Sequence, residues 1–265
     1  MRARGKNGER DGVHRNDRLR AIIDLVEAAD GSVSIESLAE QLTVSPSTIR
    51  RDTIVLERQG AVARMWGRIG KPGGFIETPI GERTSQHAAE KRRIAEAAAQ
   101  LVPDGSLVGL SGGTTTLAVS RAISGRHRLT VVTNSLSVGM QLAPHSNVRL
   151  VLSGGEARTA SYELSGTLAT AAIQSFNLDI TLLGVDGIDL RSGCTTYDHA
   201  EAITNAALVE RAAKTVVVAD ASKIGNSGFA RVCEVSAVQM LITDAAATDE
   251  QVAGFIEAGV AVQRV

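Results

Sequence analysis

The sequence predicts a small winged helix-turn-helix domain over residues 14–70, a linker over 71–81, and an α/β domain with a mostly parallel sheet over 82–265. Three observations carry this reading. Residues 18–58 contain three short amphipathic helical patterns separated by turn signals, and the last is rich in arginine. The stretch GKPGGFIETPIG (70–81) is rich in Gly and Pro and has no helical or strand period. Beyond it, apolar strand-like runs alternate with helix-like segments, the pattern of a parallel sheet flanked by helices.

A chain of 265 residues, 43% hydrophobic and 22% charged, has ordinary globular composition and room for two domains. No apolar run approaches the roughly 18 residues that a membrane span needs, and MRARGKNGERDG lacks the apolar segment of a signal peptide. Cys194 and Cys233 are too few for a disulfide framework or thiolate cluster and read as small apolar residues. A cytoplasmic protein without a membrane partner is expected. The net charge of −1 conceals an uneven distribution. Residues 1–20 carry seven Arg or Lys against three acidic residues, and residues 43–71 carry six against two. Such a local basic surface can meet phosphate although the whole chain is neutral.

In the first helix (18–29), Leu19, Ile22, Ile23 and Val26 share one face, and Asp30-Gly31 ends it. Ser34 reads as the next N-cap, with Val33 and Leu38 as a hydrophobic staple and Ile35, Leu38, Ala39 and Leu42 as the apolar stripe. Ser45 then caps a third helix with Pro46 at its first position, where the missing N–H costs nothing. At about 100° per residue, Ile49, Thr53 and Leu56 form that helix's buried stripe. Ser47, Arg51 and Arg58 fall opposite, with Arg50 and Ile54 flanking them. Arginines beside hydroxyls at a helix N-terminus suit guanine edges and phosphates, which predicts contact with double-stranded DNA through Ser45, Ser47, Thr48, Arg50, Arg51 and Arg58. The alternating AVARMWGRIG that follows reads as a β-wing, with Arg64 and Arg68 turned to DNA. Trp66 has two readings, a DNA-side residue or a plug between wing and helices.

The stretch SIESLAEQLTVSPSTIRRDTIVLERQGAVAR resembles the winged helix-turn-helix of the DeoR family of bacterial transcriptional regulators. The resemblance implies DNA contact by Ser47, Thr48, Arg50 and Arg51. MWGRIG stands where that family usually has a His-Gly-Gly sequence.

After the helix EKRRIAEAAAQLV, the candidate strands are 106–110, 129–133, 148–152, 180–184, 215–219, 239–243 and 260–265. Five of them run into polar loops: SGGTTT (111–116), TNS (133–135), SGGE (153–156), VDGID (185–189) and DASK (220–223). In an open α/β sheet the carboxyl ends of the strands line one crevice, which predicts a small polar ligand there. Gly112 and Gly113 allow close backbone approach, and Thr114, Thr115 and Thr116 bring hydroxyls and N–H groups to a helix start, a setting for phosphate. The alternative is ordinary strand-to-helix punctuation. Neither a P-loop nor a dinucleotide fingerprint is present. Lys223 reads either as an anion partner or as a solvated surface lysine.

SGGTTTLAV, VVTNSL, LSGGE, LLGVDGID, GCTTYDHAEA and ADASKIG resemble successive motifs of the DeoR family's effector domain, whose fold is similar to sugar-phosphate isomerases and deaminases. The resemblance implies a phosphorylated sugar as effector. Gly113, Thr114, Thr115 and Thr116 would hold its phosphate, with Gly112 and Ser111 in the same loop and Asn134 and Ser135 lining the pocket. Asp186, Glu201 and Lys223 would contact hydroxyls or phosphate. Many members have Asp where this chain has Ser111.

The expected function is a DNA-binding regulator, a repressor of a carbohydrate operon, without enzyme activity and acting as a dimer or tetramer, since helix-turn-helix proteins read paired half-sites. The rival is a sugar-phosphate isomerase or aminosugar-phosphate deaminase with a DNA-binding appendage, using Asp186, Asp189, His199, Glu201 and Lys223 for acid–base work. A third reading makes the second domain an oligomerisation platform only. The five histidines lack metal-ligand spacing, and neither a metal nor a cofactor is expected. Asp198-His199 reads as a cap or pocket wall, and Asp186/Asp189 as a turn around Gly187.

Overall fold

The computed structural model describes residues 8–29, 32–65, 68–71, 77 and 80–265. Trp66, the Asp30-Gly31 stop, the basic residues at 2, 4 and 6 and the Gly-Pro run of the expected linker lie outside them. The chain divides into two compact units, Met1–Thr78 and Pro79–Val265.

The first unit runs α1 (Gly8–Ala28), β1 (Ser32–Ser34), α2 (Ile35–Gln41), α3 (Pro46–Arg58), β2 (Ala63–Met65) and β3 (Arg68–Gly70). Helix α1 begins ten residues before the expected start at residue 18. Ile22, Val26, Ile35, Leu38, Ile49, Leu56 and Ile69 close one core, and Leu19, Ile23, Val33 and Leu42 pack on it, so the expected apolar stripes meet each other. Ser34 and Ser45 cap α2 and α3 by accepting from Ser37 N (3.0 Å) and Thr48 N (3.2 Å). The short strand β1, absent from the sequence reading, pairs antiparallel with β3 and makes the wing three-stranded in the order β1-β3-β2.

The second unit opens with α4 (Ile80–Arg83) and α5 (Ala88–Gln100). Ile80 and Gly81, assigned to the linker from sequence, instead begin α4, because Ile80 is apolar, buried at 4% exposure, and donates its N–H to Ala160 O (2.8 Å). There follow β4 (Leu107–Leu110), α6 (Thr114–Ile123), β5 (Leu129–Thr133), α7 (Leu136–Leu142), β6 (Val148–Leu152), β7 (Glu156–Ala157), β8 (Leu164–Ser165) and α8 (Thr167–Gln174). Then come β9 (Ile180–Leu183), β10 (Gly187–Asp189), β11 (Gly193–Thr196), α9 (His199–Glu210), β12 (Thr215–Val218), β13 (Ala230–Cys233), β14 (Met240–Thr243), α10 (Asp249–Glu257) and β15 (Ala261–Arg264).

The seven expected strands form one seven-stranded parallel sheet in the order β15-β14-β12-β9-β4-β5-β6. Alternate side chains feed opposite faces. Val108, Leu110, Val131, Leu182, Val216 and Val218 join α5, α6 and α7 on one face. Val132, Leu183, Val217 and Leu241 join the cores of the other. Burial on both faces explains why these strands read as unbroken apolar runs. Gly109 is forced by the packing, since a Cβ there would lie 2.4 Å from Thr181 Oγ1 and 2.8 Å from Leu178 Cδ1. Two small antiparallel sheets, β10-β11-β13 and β7-β8, stand where loops were read. Their segments are too short to show a two-residue period, and β10 begins within the VDGID loop.

The chain leaves β4 toward β5 and β6, then returns to β9 on the other side of β4 and continues outward. The switch in direction lies between β4 and β9. Ligands of open α/β sheets bind outside the carboxyl ends of the strands at this point.

Candidate functional site

In the first unit, α3 buries Ile49, Asp52, Thr53 and Leu56 and exposes Ser47, Arg50, Arg51 and Arg58. Ser45 Oγ lies 2.8 Å from Ser47 Oγ and 2.9 Å from Thr48 Oγ1, so the expected hydroxyls form one cluster at the helix start. Arg50 is 3.6 Å from Glu36, but both side chains are more than half exposed, a pairing that water competes with and that holds little energy. Two basic residues of the first twenty are committed elsewhere. Arg15 Nε (3.2 Å) and Arg18 Nε (2.6 Å) donate to the buried Asp52 carboxylate and tie α1 to α3. The wing reading needs one correction. Arg68 is buried and donates to Ser32 Oγ (2.7 Å) and Ser32 O (2.6 Å), because its side chain points inward from β3 over β1. Arg68 therefore holds the wing together and is withdrawn from the DNA-facing set. Arg64 stays half-buried beside Glu57, 3.3 Å away.

In the second unit, the loop 111–113 carries the chain from β4 into α6. Gly113 has φ +116, a region that favours glycine, and α6 has no side-chain cap, so its first N–H groups lack intrahelical acceptors. Gly112 is required for a different reason. A Cβ there would sit 2.2 Å from Glu163 Cγ and 2.3 Å from Glu163 Cδ, so the Glu163 carboxyl packs directly on this backbone. Ser111, expected to read the ligand, is fully buried and accepts from Gly184 N (2.9 Å), pinning the β4 and β9 loops together. Thr115 and Thr116 are also buried, and Thr116 Oγ1 donates to Gly113 O (3.0 Å). Thr114 is half-buried. Ser135 caps α7 by accepting from Val138 N (3.3 Å).

The carboxylates converge beside this loop. Asn134 and Asn205 each donate to Glu163 Oε2 at 3.1 Å, and Asn134 donates also to Asn205 Oδ1 at 3.0 Å. Burial and the charge of Glu201 push the Glu163 carboxyl up to about 8, with the two amides opposing. Glu201 accepts from Arg158 Nη1 (2.6 Å), Ser161 Oγ and Thr196 Oγ1 (3.3 Å). Asp186 accepts from Arg83 Nη1 (2.8 Å), Thr196 Oγ1 (2.9 Å) and Tyr197 N (3.3 Å). On the cationic side, Lys223 is half-buried in a short 3-10 turn that Asp220 caps by accepting from Ser222 N (3.1 Å). Burial pulls the Lys91 ammonium down to about 8, opposed by the charge of Asp220.

Glu163, Asn205, Thr196, Arg83, Lys91, Arg158 and Ser161 were absent from the sequence reading. Asn205 could have been found, since it stands one helical turn after Glu201 on α9. Glu163 gives no such signal in SYELSG. Asp198 caps α9 by accepting from Glu201 N (2.9 Å), and Asp189 accepts from Arg191 N (2.9 Å) and Ser192 N (3.1 Å), so both do local work. Among the described residues, no helix is long and apolar enough to cross a membrane.

A helix-turn-helix unit joined to a sheet domain with a polar crevice is the plan of a sensing transcriptional regulator. Residues 18–72 match the DeoR-like helix-turn-helix domain, and residues 86–245 match the DeoR C terminal sensor domain. The chain is 35% identical to the glycerol-3-phosphate regulon repressor of Escherichia coli K12 over 88% of its own length and 92% of the relative's. It is 34% identical to the HTH-type transcriptional regulator GlpR of Haloferax volcanii over 86% of this chain and 89% of that one. The putative aga operon transcriptional repressor of Escherichia coli O157:H7 is 30% identical over 97% of this chain and 96% of its own. The chain belongs to the DeoR family of transcriptional regulators. Among solved structures, the ribose 5-phosphate isomerase of Methanocaldococcus jannaschii aligns with 52% of this chain and 55% of its own at 19% identity and a TM-score of 0.39, too loose a likeness to carry a functional argument.

Proposed function

We propose that this protein is a cytoplasmic repressor of a carbohydrate or polyol operon, whose hold on operator DNA is controlled by a small phosphorylated sugar or polyol in the crevice between β4 and β9. The observation that carries this is the pairing of two unlike surfaces at one switch point. The uncapped start of α6, with Gly112, Gly113 and Thr114, favours a dianion, and Lys223 follows β12, the strand next to β9. Glu163, Asp186 and Glu201 supply acceptors beside it, the equipment for reading hydroxyls. A ligand with a phosphate at one end and hydroxyls along its body meets both. A regulator of this family that is named for the glycerol-3-phosphate regulon agrees with that class.

Sensing, not turnover, is the reading supported by the state of the carboxylates. Asp186 and Glu201 are each held by an arginine and by hydroxyls, and Glu163, pushed up to about 8, is mostly protonated at neutral pH, so none stands as a free carboxylate base. On the DNA side, Ser45, Ser47, Thr48, Arg50, Arg51 and Arg58 form the proposed contact face, with two copies of the chain reading two half-sites. The effector acts by binding the DNA-released arrangement more tightly than the DNA-bound one, since only differential affinity moves the equilibrium. The test is a gel shift with DNA from upstream of the protein's own gene, titrated with glycerol 3-phosphate, fructose 1-phosphate and other sugar phosphates. Release by one of them is expected. Binding to DNA that ignores every compound, or consumption of a sugar phosphate by the protein, would overturn the sensor reading.

A further inference from the structure

The chain enters its second unit through α4, and the segment from α4 to the start of α5 is fastened to the crevice more firmly than a connector requires. Ile80 N donates to Ala160 O (2.8 Å), in the turn that carries Ser161 to Glu201 and Glu163 to Asn134 and Asn205. Three residues on, Arg83 Nη1 donates to Asp186 Oδ1 at 2.8 Å, and the two side chains are only 14% and 9% exposed. Lys91 Nζ locks the bend from α4 into α5 by donating to Arg83 O and Gln86 O, each at 2.7 Å. The Lys91 ammonium feels the positive charges of Lys223 and Arg83, with Asp220 and Glu90 opposing them.

A phosphate that arrives beside the Arg83 guanidinium competes with Asp186 as its acceptor. Asp186 accepts from its Nη1, whereas a phosphate dianion offers three oxygens to the guanidinium fork. The same phosphate would relieve the repulsion that Lys91 feels from Arg83 and Lys223. We propose that Arg83 is the relay of the sensor: the phosphate of the effector competes with Asp186 for its guanidinium, and the exchange releases α4, the first helix after the DNA-binding unit. This rests on the reading of the crevice as a sugar-phosphate site. It gives that site a second role for Asp186, as the acceptor that the effector displaces. Only a group with two alternative partners can act as such a switch.

The test is hydrogen exchange followed by mass spectrometry on the full chain, with wild type, Arg83→Gln and Arg83→Lys, each alone and titrated from about 1 μM to about 10 mM, a span on both sides of a micromolar to submillimolar Kd, with glycerol 3-phosphate, fructose 1-phosphate or inorganic phosphate. Arg83→Gln alone is expected to speed exchange across 80–87 and 158–163 about tenfold, leaving β5 and β6 unchanged. A bound probe should produce that pattern in wild type. It should bind Arg83→Gln about tenfold more weakly, and Arg83→Lys, which keeps the charge, should regain part of the loss. Exchange at 80–87 that Arg83→Gln leaves within twofold of wild type would overturn the proposal whatever the ligand. Equal probe affinity in wild type and Arg83→Gln would overturn it also. If no probe binds wild type, the sugar-phosphate reading fails and takes the competition with it. The exchange of the ligand-free Arg83→Gln variant tells that failure from a failure of the tie itself.

Discussion

Glu163→Gln should stabilise the second unit at neutral pH, although it alters a fully buried residue with two hydrogen-bond donors. In the native fold the Glu163 carboxyl titrates at about 8, raised from 4.5 by burial and by Glu201. The folded chain therefore binds the proton more tightly than the unfolded chain. Stability from this group is fully present below pH 4.5 and declines as pH rises toward about 8, after which it is flat. One proton corresponds to roughly 1.4 kcal/mol per pH unit, so wild type should lose on the order of 3 kcal/mol between pH 5.5 and 8 relative to a group that does not titrate. Glutamine is that group, with the same shape and an oxygen able to accept from Asn134 and Asn205. Coupling to Glu201 spreads the titration over a wider pH range. The assay is urea unfolding by circular dichroism at several pH values from 5.5 to 8.5, with exchange of β5 peptides identifying the transition of the second unit. Wild-type and Glu163→Gln stabilities should converge at low pH and diverge as pH rises. Parallel curves would show that Glu163 is ionised in the fold, and the account of the carboxylate cluster would be wrong.

Three further outcomes are expected. Arg50→Ala with Arg51→Ala should abolish specific operator binding without lowering Tm, because both side chains are exposed, and the remaining non-specific binding should lose about two units of salt slope; unchanged affinity and slope would remove these arginines from the interface. Asp52→Ala should weaken the first unit by about 1–3 kcal/mol in thermal unfolding, less than the rupture of a fully buried pair, since Arg15 and Arg18 are 48% and 21% exposed and regain water; a change under about 0.5 kcal/mol would mean that the α1–α3 tie is incidental. Gly112→Ala should cost roughly 1–3 kcal/mol and blunt any effector response, because its methyl would fall 2.2 Å from Glu163 Cγ; native stability and full response would show that Glu163 is free to move aside.

Much of the fold was legible because its signals are local. Helical stripes, Ser34 and Ser45 as caps, and seven apolar runs each follow from the free energy of a short segment, and each appears where the pattern placed it. The loop motifs at the strand ends were legible for the same reason, since a parallel sheet brings its carboxyl ends to one side whatever the order of its strands. The order itself, and with it the switch between β4 and β9, depends on which strands pair over long sequence separations, and no local pattern records that.

Partner choice among charged groups was likewise decided by tertiary structure. The sequence shows that Arg68, Arg64, Arg50 and Arg83 are cations. Only the antiparallel pairing of β1 with β3 turns Arg68 onto Ser32. Asp186 was a plausible ligand contact from its motif, but its pairing with Arg83 spans 103 residues and required α4 to pack over the crevice. Glu163, unremarkable in SYELSG, becomes the most perturbed carboxyl of the site because Gly112 has no side chain and Asn134 and Asn205 arrive from β5 and α9. Segment type and motif are set by neighbours along the chain. Burial, and therefore the energy and role of a charge, is set by neighbours in space.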